Sequence, residues 1–280
     1  MNFRVVGVYR EPEFSPGKIA ADAAIIDQVL AHLRVAGADT ETMTAARFSA
    51  DPPNHVDLVI AMCQGPQALS RLASMNEAGA VTINSALAIR NCYRDLLGAG
   101  LMRAGVPIPE GVLLRTSLPL DPKPLRVLDL AAPVYVKRGN LHALGPDDVR
   151  CVEGLEQLEE ALAHFARRGI DLVYVQQEVV GAVVKFYGVN DEYFCAIPED
   201  GQPLNDVVEL NLERAARLAA AALGLEIWGG DAIVKGQSYT IIDFNDWPSF
   251  ERVRTPAAAA IARRCLLLLR RRPLARNAVV

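Results

Sequence analysis

Apolar residues along this chain fall into two kinds of pattern: short continuous runs, and stretches in which they recur every three or four positions. Runs at 3–9, 57–62 and 80–83 read as buried strands. Between them, 18–36 carries Ile25, Ile26, Val29, Leu30 and Leu33 at helical spacing, and 67–78 continues in the same period. Strand–helix alternation of this kind predicts a small three-layer α/β unit with a parallel sheet. Such a unit can take a ligand at the carboxyl ends of its strands, although no motif here names one.

Beyond residue 84 the pattern changes. Residues 85–104 read as one long helix with Ser85 as N-cap, followed by a rigid connector through Pro107 and Pro109. Strands are expected at 111–114, 133–137, 171–180, 183–189 and 194–197. A helix at 154–168 stops at Gly169, and an Ala-rich helix at 211–223 stops at Gly224. In the strand at 183–189, Lys185 and Tyr187 share one face while Val184 and Phe186 occupy the other. A charge embedded there belongs on a wet cleft face or beside a partner.

The stretch 228–250 concentrates the chemistry. Two apolar runs, 231–234 and 239–244, flank Gly236, Gln237 and Ser238, which predicts a hairpin with a three-residue loop. Pairing Lys235 with Tyr239 then sets Asp231 opposite Asp243, and directly opposed residues project from one face. Asn245, two residues on, shares that face, with Ile242 and Phe244 on the reverse. Two carboxylates and an amide oxygen converging in this way suit a hard cation such as Mg2+. The plainer reading of the same residues is a solvated hairpin with exposed acids.

Composition narrows the classes. With 280 residues, 51% of them hydrophobic, the chain can bury a large core. A formal net charge of -4 does not suggest a nucleic-acid binder. Arg263, Arg264 and Arg270 to Arg272 flank an apolar run too short to span a membrane, and are expected to solvate the ends of a buried amphipathic helix. The five dispersed cysteines form no metal-type pair, and the N-terminus lacks the regions of a signal peptide, so a reduced cytoplasmic chain is the expectation. Ser15 to Lys18 lacks the first glycine and spacing of a P-loop, and Gly98, Gly100 and Gly105 follow a helix rather than a strand, unlike a dinucleotide loop. Lys137 at a strand end beside Gly139 can meet a phosphate, or can simply mark the strand's exit into water.

Seven segments in order resemble the ATP-grasp superfamily. They are the helix with Asn91, Arg94 and Leu97; the element Gly105 to Pro109; Lys137; the hinge Val175 to Val180; Lys185; the helix leading to Gly229, Gly230 and Asp231; and Asp243 to Pro248. The likeness covers the chain from about residue 84, and the preceding α/β unit resembles the domain that usually comes before it. It implies an N-terminal α/β domain at 1–84, a linking helix and connector at 85–110, a small ATP-grasp subdomain at 111–180, and a C-terminal subdomain with the metal site at 181–280.

Roles follow residue by residue from the resemblance. Asp231, Asp243 and Asn245 match the family's magnesium ligands, with Mn2+ as a substitute. Lys137 matches the lysine on the nucleotide's phosphates and base, and Arg94 stands where a phosphate-touching lysine is common. Gln177, Glu178, Val179 and Val180 span the hinge that holds adenine. Lys185 matches the basic position facing the transferred phosphoryl group. From their place just beyond the metal loop, Arg252 and Arg254 are candidates to clamp a substrate carboxylate, or else belong to a solvated helix approach, while Arg138, Asn140, His142 and Ser249 are candidate substrate contacts. Loops 138–145 and 198–206 are where specificity is expected.

Most of these features resemble carboxylate–amine ligases of the ribosomal-protein glutamate ligase kind. The implied activity is ATP- and Mg-dependent amide or peptide bond formation through an acyl-phosphate. The implied substrates are a small carboxylate and an amine, amino acids or a short peptide among them, with no nucleic acid or membrane partner; homodimers are common among similar proteins. Asp243 where the ligases carry glutamate, Ser249 where glycine is usual, and a short loop after Lys137 depart from that pattern. Asp243, Lys185 and His142 lean instead toward the family's inositol phosphate kinases, which makes phosphorylation of a polyol or sugar phosphate the alternative. A nucleotide-binding module without turnover is the third reading.

Overall fold

In the computed structural model, which describes residues 3–140 and 145–271, the chain forms two compact units. One comprises the described parts of Met1–Ala86, Gly188–Tyr193 and Trp247–Val280; the other comprises those of Leu87–Tyr187 and Phe194–Asp246.

In the first unit, strands β1 (Arg4–Tyr9), β2 (Asp39–Thr44), β3 (Leu58–Ala61) and β4 (Val81–Ile83) form a parallel sheet in the order β2-β1-β3-β4. Helices α1 (Ile19–Val35), α2 (Ala45–Ala50) and α3 (Pro66–Glu77) connect them. Strand β2 escapes the hydrophobic pattern because it is an edge strand with the sequence DTETMT, of which only Met43 is buried. An edge strand pairs on one side only and is covered less completely than a central strand, so continuous apolarity is not required.

The final helix α9 (Arg254–Arg271) packs on α1 in this same unit. Its basic residues do more than solvate helix ends. Arg263 bonds Glu192 at 2.9 Å, and Arg264, only 5% exposed, lies 3.4 Å from Asp191. Those acids lie in the turn expected between the strands at 183–189 and 194–197, which explains why 188–193 belongs to the first unit. The Trp247 indole N–H donates to the Ile83 carbonyl at 3.2 Å, and Arg10 donates to the Trp247 carbonyl at 2.5 Å.

The second unit opens with a helix pair rather than the single helix expected over 85–104. Helix α4 (Ala86–Asn91) ends before Cys92 and Tyr93, and α5 (Arg94–Arg103) starts with Tyr93 as its extended N-cap. Gly98 and Gly100 are interior to α5, as the rejection of a dinucleotide loop requires. Strands β5 (Gly111–Arg115), β6 (Val134–Arg138), β7 (Val149–Val152) and β8 (Leu172–Gln177) form an antiparallel sheet in the order β5-β8-β6-β7. The short helix α6 (Pro122–Leu125) lies between β5 and β6 in sequence, and α7 (Gly154–Arg167) covers the sheet with Leu158, Ala161, Leu162 and Phe165 against Val134, Val136, Val173 and Val175.

Strands β9 (Ala182–Val189), β10 (Tyr193–Pro198), β11 (Ile227–Lys235) and β12 (Ser238–Asp246) form the remaining sheet in the order β10-β9-β11-β12. Helix α8 (Asp206–Leu223) begins with the Asn205 side chain accepting from the Val207 N–H and ends at Gly224, whose φ of 76° is the left-handed cap glycine tolerates. Its buried face is mostly alanine, so the helix lies close to the aromatic cluster of Phe186, Trp228 and Phe244. That cluster holds the back of the sheet whose other face carries the charged residues.

Candidate active site

The hairpin β11–β12 brings Asp231 opposite Asp243, but by a different route from the one expected. The tip is a two-residue turn, Gly236 and Gln237, with Lys235 paired to Ser238 rather than to Tyr239. Gly236 has a φ of 61°, as the first central position of a two-residue turn of the II′ kind requires. A β-bulge then adds one residue: Ala232 pairs with Ile241, and Asp231 with Asp243, leaving Ile242 as the extra position. Ile241 and Phe244 therefore fill the core at 1% and 0% exposure, so Ile241 rather than Ile242 holds the inward position. Asn245 pairs with Gly229 on the same hairpin.

The bulge has a second consequence. The carbonyl of Ile242 accepts from Lys137 Nζ and from Gln176 Nε2, each at 3.4 Å. Gln176 Oε1 in turn accepts from Lys137 Nζ. Lys137 on β6 is only 8% exposed, and its ammonium lies 5.9 Å from the Tyr135 ring centroid. Burial pulls its pKa down to about 8; Asp243 and Asp231 raise it, and Arg94 adds to the lowering.

Asp231 and Asp243 are each met by a cation. Lys185 Nζ on β9 donates to Asp231 Oδ1 at 2.9 Å and lies 3.5 Å from Glu199 Oε1. The face expected for Lys185 is correct: Val184 and Phe186 are fully buried in the core, and the lysine is paired. Arg94 at the start of α5 lies 3.8 Å from Asp243 Oδ2 and donates to the Arg138 carbonyl at 3.0 Å. For Lys185, burial lowers the pKa, yet the bond to Asp231 with the Asp231 and Glu199 charges outweighs it and the net shift is upward. The Asp231 carboxyl is also held above its ordinary value. Burial is the main cause and Asp243 adds to it, against the lowering effect of Lys185.

Two facing carboxylates, with Asp243 adding to the raised proton affinity of Asp231 and an amide on the same hairpin, have the donor chemistry of a hard-cation site. The set fits Mg2+ as two carboxylates and one amide oxygen; no group of three or more His, Cys, Asp or Glu side chains able to hold a metal occurs among the described residues. Gly230 beside Asp231 is needed for close packing. A Cβ there would collide with the Asp243 carbonyl and the Phe186 ring. A cleft next to these carboxylates is lined by Arg94, Leu97, Lys137, Tyr174, Gln176 and Asp243, with about 350 Å3 of empty space including its mouth.

Elsewhere the expected residues are distributed differently. The hinge strand stops at Gln177, whose side chain accepts from the Asp129 N–H at 2.8 Å and donates to the Pro133 carbonyl at 3.1 Å. Its amide is held by the Glu110 carbonyl and that of Glu178 by the Pro133 carbonyl. The Glu178 carboxylate accepts from the Tyr135 hydroxyl at 3.4 Å, and Val180, past the strand's end, is 68% exposed. Arg138 donates to Asn140 at 3.1 Å and lies 3.8 Å from the buried Asp148. His142 lies outside the described residues. Ser249, Arg252 and Arg254 belong to the first unit, not to the one that carries the carboxylates. Arg252 is exposed, whereas Arg254 Nε is buried without a partner among the described residues.

Two participants were missed at the sequence level. Gln176 follows from strand alternation, since it opposes Tyr135 and Gly111 in the ladder and its buried side chain sits beside Lys137. Glu199 has no such signal, because it lies just past β10 and reaches Lys185 only through the fold.

No family model matches the sequence, and no curated protein does. Solved structures do match. The crystal structure of a D-alanine–D-alanine ligase from Bacillus anthracis complexed with ATP superposes with a TM-score of 0.74 at 13% identity, covering 96% of this chain and 98% of that one. A second structure of a D-alanine–D-alanine ligase from the same organism gives 0.72 at 14% identity, covering 96% and 97%. The fold is that of the ATP-grasp ligases, a parallel sheet followed by antiparallel ones, as the sequence led one to expect.

Proposed function

We propose that the chain is an ATP-dependent carboxylate–amine ligase that forms an amide bond through an acyl-phosphate, with Mg2+ held by Asp231, Asp243 and Asn245. The observation that carries this reading is the convergence of Asp231 and Asp243 on one hairpin face, ringed by Arg94, Lys137 and Lys185. The full-length likeness in fold to ATP-grasp ligases adds to it.

When bound, the metal would offset phosphate charge as the γ-phosphoryl group is transferred. The side chains have separate tasks. Lys137, with Arg94 nearby, holds nucleotide phosphates in a water-poor cleft where its charge acts strongly. Lys185 meets the charge that spreads over the γ-phosphoryl oxygens as the bond to ADP breaks. Val180 and its neighbours form the hinge that holds the base. A substrate carboxylate oxygen attacks the γ-phosphorus and ADP leaves. The amine then attacks the acyl carbon, phosphate departs with the former carboxylate oxygen, and the nitrogen loses a proton.

ADP and free phosphate are to be measured with Mg-ATP and pooled amino acids, then with pooled polyol phosphates. Equal amounts of both products, dependent on a carboxylate and an amine together, are expected. ADP without free phosphate, dependent on a polyol phosphate, would replace the ligase reading with a kinase; Asp243 and Lys185 are the residues that favour that second reading.

A further inference from the structure

A second site lies in the first unit, at the carboxyl ends of β1 and β2. A pocket with about 730 Å3 of empty space, open to solvent, is lined there by Tyr9, Pro12, Ile19, Asp22, Ala23 and Ala45, with Arg10 and Ser15 also on its wall. Carbon atoms dominate the lining, which favours an apolar body over a sugar or a polyphosphate.

Asp22 is 3% exposed. Its Oδ2 accepts from the Ser15 hydroxyl at 2.6 Å and lies 3.3 Å from Arg10 Nη1. Its Oδ1 is buried with no partner among the described residues. A carboxylate oxygen in that state calls for a donor, and a charged donor most of all. Of the other acceptors on the wall, Glu13 is exposed to solvent, whereas Glu11 and Thr44 are already engaged. Both Glu11 oxygens take backbone N–H groups, of Gln64 and Gly65, at 3.0 Å, and Thr44 Oγ1 takes the Arg47 N–H at 3.2 Å. The Tyr9 hydroxyl donates to Asp27 at 2.5 Å. Arg10 has its other nitrogens on the carbonyls of Met62 and Trp247, so its charge is only partly directed at Asp22.

We infer that this pocket binds a small organic ammonium, a primary amine in its protonated form carried on an apolar body, with the ammonium donating to Asp22 Oδ1. The geometry that carries it is one unpaired, buried carboxylate oxygen in a pocket whose remaining walls are mostly hydrocarbon. The site stands independently of the ligase reading, since every residue in it belongs to the first unit.

The test uses the full chain without ATP or Mg2+ and three probes sharing one ring: benzylammonium, benzyl alcohol and benzoate. Saturable binding of benzylammonium is expected, with the alcohol and benzoate each weaker by about tenfold or more. Asp22→Asn is expected to weaken benzylammonium by about tenfold in a protein that still folds, with a lowered melting temperature because Arg10 loses its buried partner. If that variant does not fold, Ala46→Leu decides instead: Ala46 is an exposed wall residue, and the larger side chain is expected to weaken benzylammonium binding while leaving ADP formation unchanged. Equal binding of all three probes, absence of saturable benzylammonium binding, or full affinity in a folded Asp22→Asn protein would overturn the proposal.

Discussion

Asp231 and Asp243 face one another across β11 and β12 because a single extra residue, Ile242, is inserted between the turn and the acid. The bulge sets the pairing of the carboxylates and also aims the Ile242 carbonyl at Lys137 and Gln176, so one backbone irregularity ties the hairpin to the neighbouring sheet.

Asp243→Asn is expected to lower turnover by about two orders of magnitude or more, because a charged acceptor at the metal is lost. The fold should survive, since removing one of two facing carboxylates relieves repulsion. Turnover and thermal melting of the purified variant check both halves. Wild-type activity in the variant would remove Asp243 from the site.

Lys185→Ala should lower kcat about a hundredfold while changing the KM for ATP little, because the lysine acts on charge that develops during transfer. In the described structure its ammonium lies between Asp231 and Glu199. Steady-state kinetics decide, and an unchanged kcat would leave Lys185 as a structural counter-ion only.

The pH profile tests Lys137. Its pKa is drawn down to about 8, mainly by burial. The protonated form is the one that holds phosphate, so kcat/KM for ATP should fall as pH rises through about 8, well before an ordinary lysine would lose its proton. A profile flat to pH 10 would show that the charge of Lys137 is not used.

Gly230→Ala should destabilise the protein by about 1–3 kcal/mol, since the added methyl meets the Asp243 carbonyl and the Phe186 ring. Denaturant melts of the variant give the number. A loss near zero would mean that the hairpin relaxes freely at its acidic centre.

Much of this was legible because the strongest signals are periodic. An apolar run interrupted by Lys185 located β9, strand alternation set Lys185 apart from Val184 and Phe186, and Gly224 closed α8 where a left-handed residue was needed. The opposition of Asp231 and Asp243 was also foreseen, but through a turn one residue too long that stood in for the bulge. A bulge has no dependable sequence signature, as an extra residue in an apolar run looks like any other. Edge strands β2 and β7 were missed because DTETMT and VRCV bury little. The break between α4 and α5 was missed because apolar spacing continues through Cys92 and Tyr93. The placement of Arg252 and Arg254 in the first unit reflects packing of α9 on α1, a long-range outcome that local pattern does not encode.

The most direct measurement follows an oxygen atom. Pooled amino acids labelled with 18O in their carboxylates are incubated with the protein, Mg2+ and ATP, and the released phosphate is read by phosphorus NMR or mass spectrometry. Transfer of a carboxylate oxygen to each phosphate released is the predicted result, because the carboxylate attacks the γ-phosphorus and its oxygen leaves with the phosphate. Unlabelled phosphate would mean that water, not a carboxylate, accepts the phosphoryl group, and would contradict the ligase account.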